Sequence, residues 1–250
     1  MALKSILKEC NEFVCFFSSK KKPKFIINEK FKNFNIQEGF TLKTKNPNKL
    51  IKKYFNISIF TGKQIHSDKI KIITKKNKKF KADAFITNKE NIALGVRIAD
   101  CIGTVIFDKK NKVIAAVHSG WRGIAKKIIV KTIKKMKKTF KTKPENLIIS
   151  MSPAIGKCCY EIGYDLFNKL KKQKVFSNIF TVKQNKIYMD LHKANLNLLL
   201  KEEVKRKNIY INNLCTFCNK KLFFSYRREG KKAGRMIYFI MIKKGNKYGK

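Results

Sequence analysis

Apolar residues in this chain gather into short runs of β-branched and aromatic side chains, and the pattern is sharpest from about residue 82 onward. The stretches "ADAFITN", "IALGVRIADCIGTVIFD" and "KVIAAVH" are separated by "KENI" and "DKKNK". This predicts adjacent buried strands joined by tight polar turns. In "GIAKKIIVKTIKKMKKTF" the apolar positions Ile124, Ile128, Ile129, Ile133 and Met136 share one helical face, which predicts a helix ending before Pro144. "ENLIISMSPAIG" reads as a strand entering a Pro/Gly turn, and "YEIGYDLFNKLKK" as a helix with Ile162, Leu166 and Leu170 on one face. Asp190 is placed to cap a third helix, "LHKANLNLLLKEEVKRKN", and "RMIYFIMI" reads as a last strand. Residues 1–60 are polar and lysine-rich, with a strand pattern in "KFIIN" and "ISIF".

Strands and helices mix here without the regular alternation of a doubly wound parallel sheet, so an α/β sandwich is expected. No repeat, low-complexity linker or composition break marks a boundary. A single domain over residues 1–250 is therefore the simplest organisation.

Composition changes this picture little. Hydrophobic residues make up 44% of the chain, with 20 Phe, which excludes an intrinsically disordered class. The net charge of +43 invites a polyanion partner, because Lys and Arg release counterions when they neutralise phosphates. The basic residues are spread along the chain, however, and heavy use of Lys, Asn, Ile and Phe fits a compositional bias. No specific nucleic-acid partner is expected. Only six of the basic residues are arginine. Five of them, Arg97, Arg122, Arg227, Arg228 and Arg235, sit inside or beside stretches carrying Gly, His and Cys, where a planar guanidinium does what an ammonium cannot. The start "MALKSILKECNEFVCFF" is broken by Lys8, Glu9, Asn11 and Glu12, so it lacks an export signal core, and no stretch is long enough to span a bilayer. A cytoplasmic location follows as the expectation. The seven cysteines are an odd number in a chain too large to need disulfide staples, so thiols are expected.

Candidate chemistry centres on "AAVHSGWRGIAKKII". His118 stands at a strand exit, and Ser119, Gly120 and Gly123 permit a tight turn into a helix. Arg122, beside free N–H groups at that helix start, would make an anion pocket. His66 in "GKQIHSDKI" and Cys101 in "RIADCIG" also fall at or near strand ends, where ligands for a metal converge. Each alone is equally satisfied as packing: a histidine hydrogen-bonded in a turn, a cysteine as a small core residue, Trp121 covering the core. His192, the remaining histidine, lies in a helix start with polar neighbours. Alternation along a strand points Asp100 away from Cys101. Cys215 and Cys218 in "CTFC" have zinc-ribbon spacing without a second pair at the usual distance, and the adjacent Cys158–Cys159 is a poor steric partner, so both pairs read as structural thiols.

Together "RIADCIGTVIFD", "AAVHSGWRGIAKKI", "MSPAIGKCCYEIG", "MDLHKANLNLL" and "NLCTFCNKKLFFSYRREGKKAGRM" resemble the laccase-domain family, also called polyphenol oxidases, peptidoglycan editing factors and purine nucleoside phosphorylases. The resemblance runs from about residue 60 to the C-terminus, in the family's order. It implies a single-domain mixed sandwich with α-β-β-α layers and a zinc ion held by His66, Cys101 and His118, with copper (Cu2+) as the alternative metal. Those three residues and Arg122 would be catalytic. Two His and one Cys leave a fourth position open, where a water would be acidified to a pKa near about 7. The implied activities are phosphorolysis of adenosine, inosine and related nucleosides, and deamination of adenosine by metal-bound water, with purine nucleoside and phosphate as partners. Two alternatives remain: a copper-dependent polyphenol oxidase, and a non-catalytic binder of polyanions or peptidoglycan precursors. The departure from the family is at the front, where residues 1–60 read as shortened and divergent.

Overall fold

The structure, a computed structural model, describes residues 13–17, 23–75 and 80–244. The chain opens with β1 (Phe13–Phe17), β2 (Pro23–Asn28) and β3 (Ile36–Thr41), then α1 (Pro47–Phe55) and β4 (Ile59–Phe60). Next come β5 (Ile70–Ile72), β6 (Ala84–Thr87), β7 (Ala93–Ile98), β8 (Ile102–Asp108) and β9 (Val113–Ser119). Two helices follow, α2 (Trp121–Ala125) and α3 (Ile128–Phe140), then β10 (Leu147–Met151) and β11 (Glu161–Ile162). The remainder is α4 (Tyr164–Lys171), β12 (Phe180–Lys183), β13 (Lys186–Met189), α5 (Leu191–Lys201), β14 (Ile209–Ile211), α6 (Tyr226–Glu229) and β15 (Met236–Ile242).

These strands form two six-stranded sheets, ordered β1-β2-β3-β15-β7-β4 and β14-β10-β8-β9-β6-β5, and a small third sheet, β11-β13-β12. Apolar contacts occur in three layers. Phe25, Ile237 and Phe239 of the first sheet pack against Ile51 of α1. Phe40, Leu94, Val96, Tyr238 and Ile240 of the same sheet face Phe85, Val105, Phe107, Ile114 and Ala116 of the second. The other side of the second sheet, including Ala84, Ile86, Ala115 and Val117, packs on Ile128, Ile129 and Ile133 of α3 and Leu198 and Leu199 of α5. The architecture is thus the expected α-β-β-α sandwich.

Local chemistry explains most boundaries. Asp190 accepts the Lys193 N–H at 2.9 Å and caps α5 as expected. Asp108 closes the β8–β9 hairpin by accepting N–H bonds from Lys110 and Asn111. The long helix expected after Gly123 is in fact two. Lys127 adopts a left-handed φ of 56°, and α3 starts beyond it. The run 82–118 also differs from a simple meander. β6 lies in the second sheet, β7 in the first and β8 in the second again. The unbroken-looking "IALGVRIADCIGTVIFD" is cut at residues 99–101, where the chain crosses between sheets and Asp100 takes a φ of 81°. In the front part "KFIIN" falls within β2 as expected, but only Ile59–Phe60 of "ISIF" is strand.

β3 shows why that segment was hard to read. Its Glu38 is buried between the sheets, accepting the Asn28 N–H at 3.0 Å, while Tyr238 and Asn28 both donate to the Ser150 hydroxyl. Burial pushes the Glu38 carboxyl up to about 8, against the opposing pull of the Asn28 N–H and the Tyr238 hydroxyl. The folded chain therefore keeps a proton that the unfolded chain releases near 4.5, and stability falls as pH rises through this window. Glu38→Gln should remove that slope, which is at most about 1.4 kcal/mol per pH unit. Denaturant midpoints of wild type and E38Q measured from pH 5 to 8 should diverge in favour of the variant; parallel curves would show that Glu38 is not a buried acid.

Candidate metal centre and cavity

The crossing at residues 99–101 delivers Cys101 to the rim of the inter-sheet core, directly before β8. β9 runs antiparallel beside β8 with His118 opposite Gly103. Ile114 and Ala116 of β9 face the other sheet whereas Val113, Ala115 and Val117 face the helices, so alternation places His118 on the inter-sheet side at the strand's end. His66 arrives from the segment between β4 and β5 with a left-handed φ of 54°. One ligand atom from each of His66, Cys101 and His118 lies within 4.8 Å of the other two. The two imidazoles stand edge to face with centroids 5.0 Å apart. Gly120 completes the corner. A Cβ there would lie 2.8 Å from Cys101 Sγ, so only glycine lets the chain turn into α2 past the thiol.

Asp83, just before β6, holds this arrangement together and was missed by sequence reasoning. It is fully buried. Its carboxylate accepts the backbone N–H groups of Ile65, His66 and Ser67, the Ser67 hydroxyl at 2.7 Å, and His118 Nδ1–H at 2.9 Å. Its own carbonyl accepts the His118 N–H at 2.7 Å. One carboxylate thus sets the loop carrying one imidazole and the ring orientation of the other, leaving His118 Nε2 to face the cluster. The only signal in the sequence was an acidic residue at the head of an apolar strand.

The electrostatics follow from this packing. Burial alone would raise the Asp83 carboxyl, but hydrogen bonds from His118 and Ser67 hold it down at about 2. Burial likewise opposes ionisation of Cys101, yet the charges and hydrogen bonds of His118 and His66 bring the thiol down to about 6. His118, despite its burial, is raised to about 9 by the Cys101 thiolate and Asp83. Two ring nitrogens and an ionised sulfur facing a common point are the donor set of a zinc or copper site.

The cluster lies in a cavity of about 670 Å3. Four of the five arginines singled out above, Arg97, Arg122, Arg227 and Arg235, line it, together with Trp121, Tyr160 and Tyr226. Each of three guanidiniums stacks on one of these rings: Arg122 over Trp121 at 4.3 Å, Arg227 over Tyr160 at 5.2 Å, and Arg235 over Tyr226 at 5.8 Å. Arg228 turns away and donates to the carbonyls of Thr216, Phe217 and Phe223. Burial, with the Cys101 thiolate, pushes the Tyr160 phenol up to about 12, so it keeps its proton at neutral pH. α2 is only five residues long. The positive end of the cavity therefore rests on the guanidiniums rather than on a helix dipole.

Asp100 sits at the crossing between sheets rather than in a strand and also lines the cavity, so strand alternation does not set its direction; its hydrogen bonds do. Its carboxylate accepts the Thr216 hydroxyl at 2.6 Å, the Ser225 hydroxyl at 3.0 Å and the Arg227 N–H at 2.7 Å. His192 lies in the first turn of α5 as expected, but it is buried, and its Nε2 bonds the Ser152 carbonyl at 2.9 Å. The steric objection to Cys158–Cys159 as a partner for "CTFC" also fails, since Cys159 Sγ lies 3.3 Å from Cys218 Sγ. No helix among the described residues is long and apolar enough to cross a membrane.

Fold and site define a mixed α/β sandwich protein with a His/Cys/His cluster in an arginine-lined cavity. YfiH from Bacillus licheniformis has the same fold, with a TM-score of 0.81 at 24% identity, covering 93% of this chain and 100% of that one. The profile of the family described as multi-copper polyphenol oxidoreductase laccase matches residues 40–243, and the chain belongs to this family. Among its relatives is a purine nucleoside phosphorylase of Clostridium acetobutylicum, 37% identical over 84% of this chain and 86% of its own. Another is the adenosine deaminase RL5 from an unidentified prokaryote, 31% identical over 64% of this chain and 62% of its own.

Proposed function

We propose that this chain is a zinc-dependent purine nucleoside enzyme, one that cleaves adenosine, inosine and related nucleosides with phosphate and deaminates adenosine. The observation that carries this reading is the conjunction, in one nucleoside-sized cavity, of the His66/Cys101/His118 donor set with four arginines and three aromatic rings. The names of the two relatives point the same way.

His66, Cys101 and His118 would hold the zinc, which when bound supplies a Lewis acid that makes water a nucleophile at neutral pH. The rest falls to the chain. In phosphorolysis a phosphate oxygen bonds C1′ as the C1′–N9 bond breaks, and the leaving base takes the electron pair and a proton. Arg122 and its neighbours hold the phosphate, and Trp121, Tyr160 and Tyr226 offer faces for the purine. In deamination water adds at C6 and the exocyclic nitrogen leaves as ammonia. Tyr160, which keeps its phenol proton, is a hydrogen-bond donor in the same space. Asp100, with three donors on its carboxylate, positions the start of α6 and with it Arg227, and is not the acid for the leaving ammonia.

The copper oxidase reading carried in the family's description asks for several copper sites rich in histidine. The chain has three histidines, and His192 is committed to a buried carbonyl. The donor set therefore favours the nucleoside reading. Incubation of zinc-loaded protein with inosine should release hypoxanthine only when phosphate is present, and adenosine without phosphate should yield inosine and ammonia. Both reactions should stop on chelation and return with zinc. Phenol oxidation in copper-loaded protein without either nucleoside product would reverse the assignment.

A further inference from the structure

A second group of metal-type donors stands apart from the cluster in the cavity. Cys158, Cys159, Cys215 and Cys218 come from two loops, one following β10 and one following β14, and their four sulfurs all lie within 4.8 Å of one another. Cys218 Sγ is 3.7 Å from Cys158 Sγ and 3.3 Å from Cys159 Sγ. A tetrahedron of sulfurs at about 2.3 Å from a central ion has edges of about 3.8 Å. Thiols brought to that spacing in fours are close to the geometry of a tetrathiolate site. A disulfide, at about 2.05 Å, would join two sulfurs and leave the other two without a role.

The backbone around them is shaped for the purpose. The loops are pinned by a parallel bridge between Ala154 and Cys215, with the Thr216 N–H donating to the Ala154 carbonyl at 2.9 Å. The turn after Gly156 returns the N–H groups of Cys159 and Tyr160 to the Gly156 carbonyl, which is how two adjacent cysteines come to face the same partner. Gly156 N–H donates to Cys215 Sγ at 3.2 Å, a bond that stabilises a sulfur carrying negative charge. A Cβ on Gly156 would come within 3.1 Å of Cys158 Sγ and 3.2 Å of Cys215 Cβ, tighter than ordinary contact, so a side chain there would press on the knuckle. Four thiolates around a divalent ion carry a net charge of minus two, and Lys157, Lys220 and Lys221 flank the two pairs in sequence.

We propose that Cys158, Cys159, Cys215 and Cys218 form a structural tetrathiolate site for a thiophilic divalent cation, zinc foremost, separate from the His66/Cys101/His118 centre. With no free position it binds no substrate. Its role is to fix one wall of the cavity. Tyr160 follows Cys159 directly, Arg227 stacks on Tyr160, and Arg228 reaches back to the carbonyls of Thr216 and Phe217 between the second pair.

The test reads metal content and thiols on the full chain, purified under reducing conditions without added metal. Cys158→Ser with Cys218→Ser should lower zinc by one equivalent per chain, while His66→Ala with His118→Ala should lower it by one independently. If the cysteine variant does not fold, the histidine variant answers instead. Loaded with cobalt, it should show the intense sulfur-to-metal charge transfer and tetrahedral ligand-field bands of four thiolates, abolished by blocking the thiols. Unchanged zinc in the cysteine variant, a cobalt spectrum without those bands, or loss of two titratable thiols to a disulfide in the wild type would each overturn the proposal.

Discussion

His118→Ala is expected to abolish both nucleoside reactions, lowering kcat/KM by about 10³ or more, equivalent to about 4 kcal/mol of transition-state stabilisation. His118 is the buried member of the cluster, fixed by Asp83 through both its ring and its backbone. Its removal takes away one of three donors, and His66 and Cys101 alone would hold zinc far more weakly. The backbone bond to Asp83 survives, so the fold should persist. Zinc content and steady-state phosphorolysis of inosine, measured beside a melting curve, check the result. A folded variant that turns over normally would remove His118 from the chemistry.

Asp83→Asn should be nearly as damaging, although Asp83 touches neither metal nor substrate. Every group facing its carboxylate is a donor: three backbone N–H groups, a hydroxyl and an imidazole N–H. An amide turns one acceptor into a donor against donors, and we expect zinc affinity to fall by about 10- to 100-fold. The lost hydrogen bonds should also cost about 2 kcal/mol or more of stability. The pH dependence distinguishes this from a general packing defect. With a folded pKa near 2 against 3.8 unfolded, the ionised carboxylate contributes stability that is fully present above about 4 and is lost as pH falls through about 2. The gap between wild type and D83N should therefore be widest between about pH 4 and 6.5, close in acid, and narrow again as pH rises through about 9, where His118 loses the proton that Asp83 helps it keep. A gap independent of pH would deny the carboxylate this role.

The motif stretch was legible because strand, turn and glycine-rich helix start leave local marks, and the strand end at His118 and cap at Asp190 follow from them. What escaped was set by distant partners. Asp83 looked like any acidic residue before a strand, since the five donors that define it come from residues 65–67 and 118. Glu38 disguised β3 because a strand bearing a buried acid does not read as a buried strand. The crossing at Asp100 lay inside an apolar run, where hydrophobicity carries no information about which sheet a residue joins. The four clustered cysteines were divided by sequence distance, and only the bridge between Ala154 and Cys215 makes them neighbours.

The two sheets divide the cavity's parts between them. His118 and Cys101 belong to β9 and the start of β8 on one sheet, while Arg97 lies on β7 and Arg235 immediately before β15 on the other. The spacing between the metal donors and these guanidiniums is therefore a property of how two plates slide on an oily seam, built from Phe85, Val105, Phe107, Val96 and Tyr238. Such a seam resists shear through close packing and through the Asn28 and Tyr238 hydrogen bonds to Ser150 that cross it. If the cavity holds phosphate and metal as proposed above, their alignment would be tuned from side chains that no ligand touches, and drift there would change the enzyme's gauge without altering a single residue of the cavity.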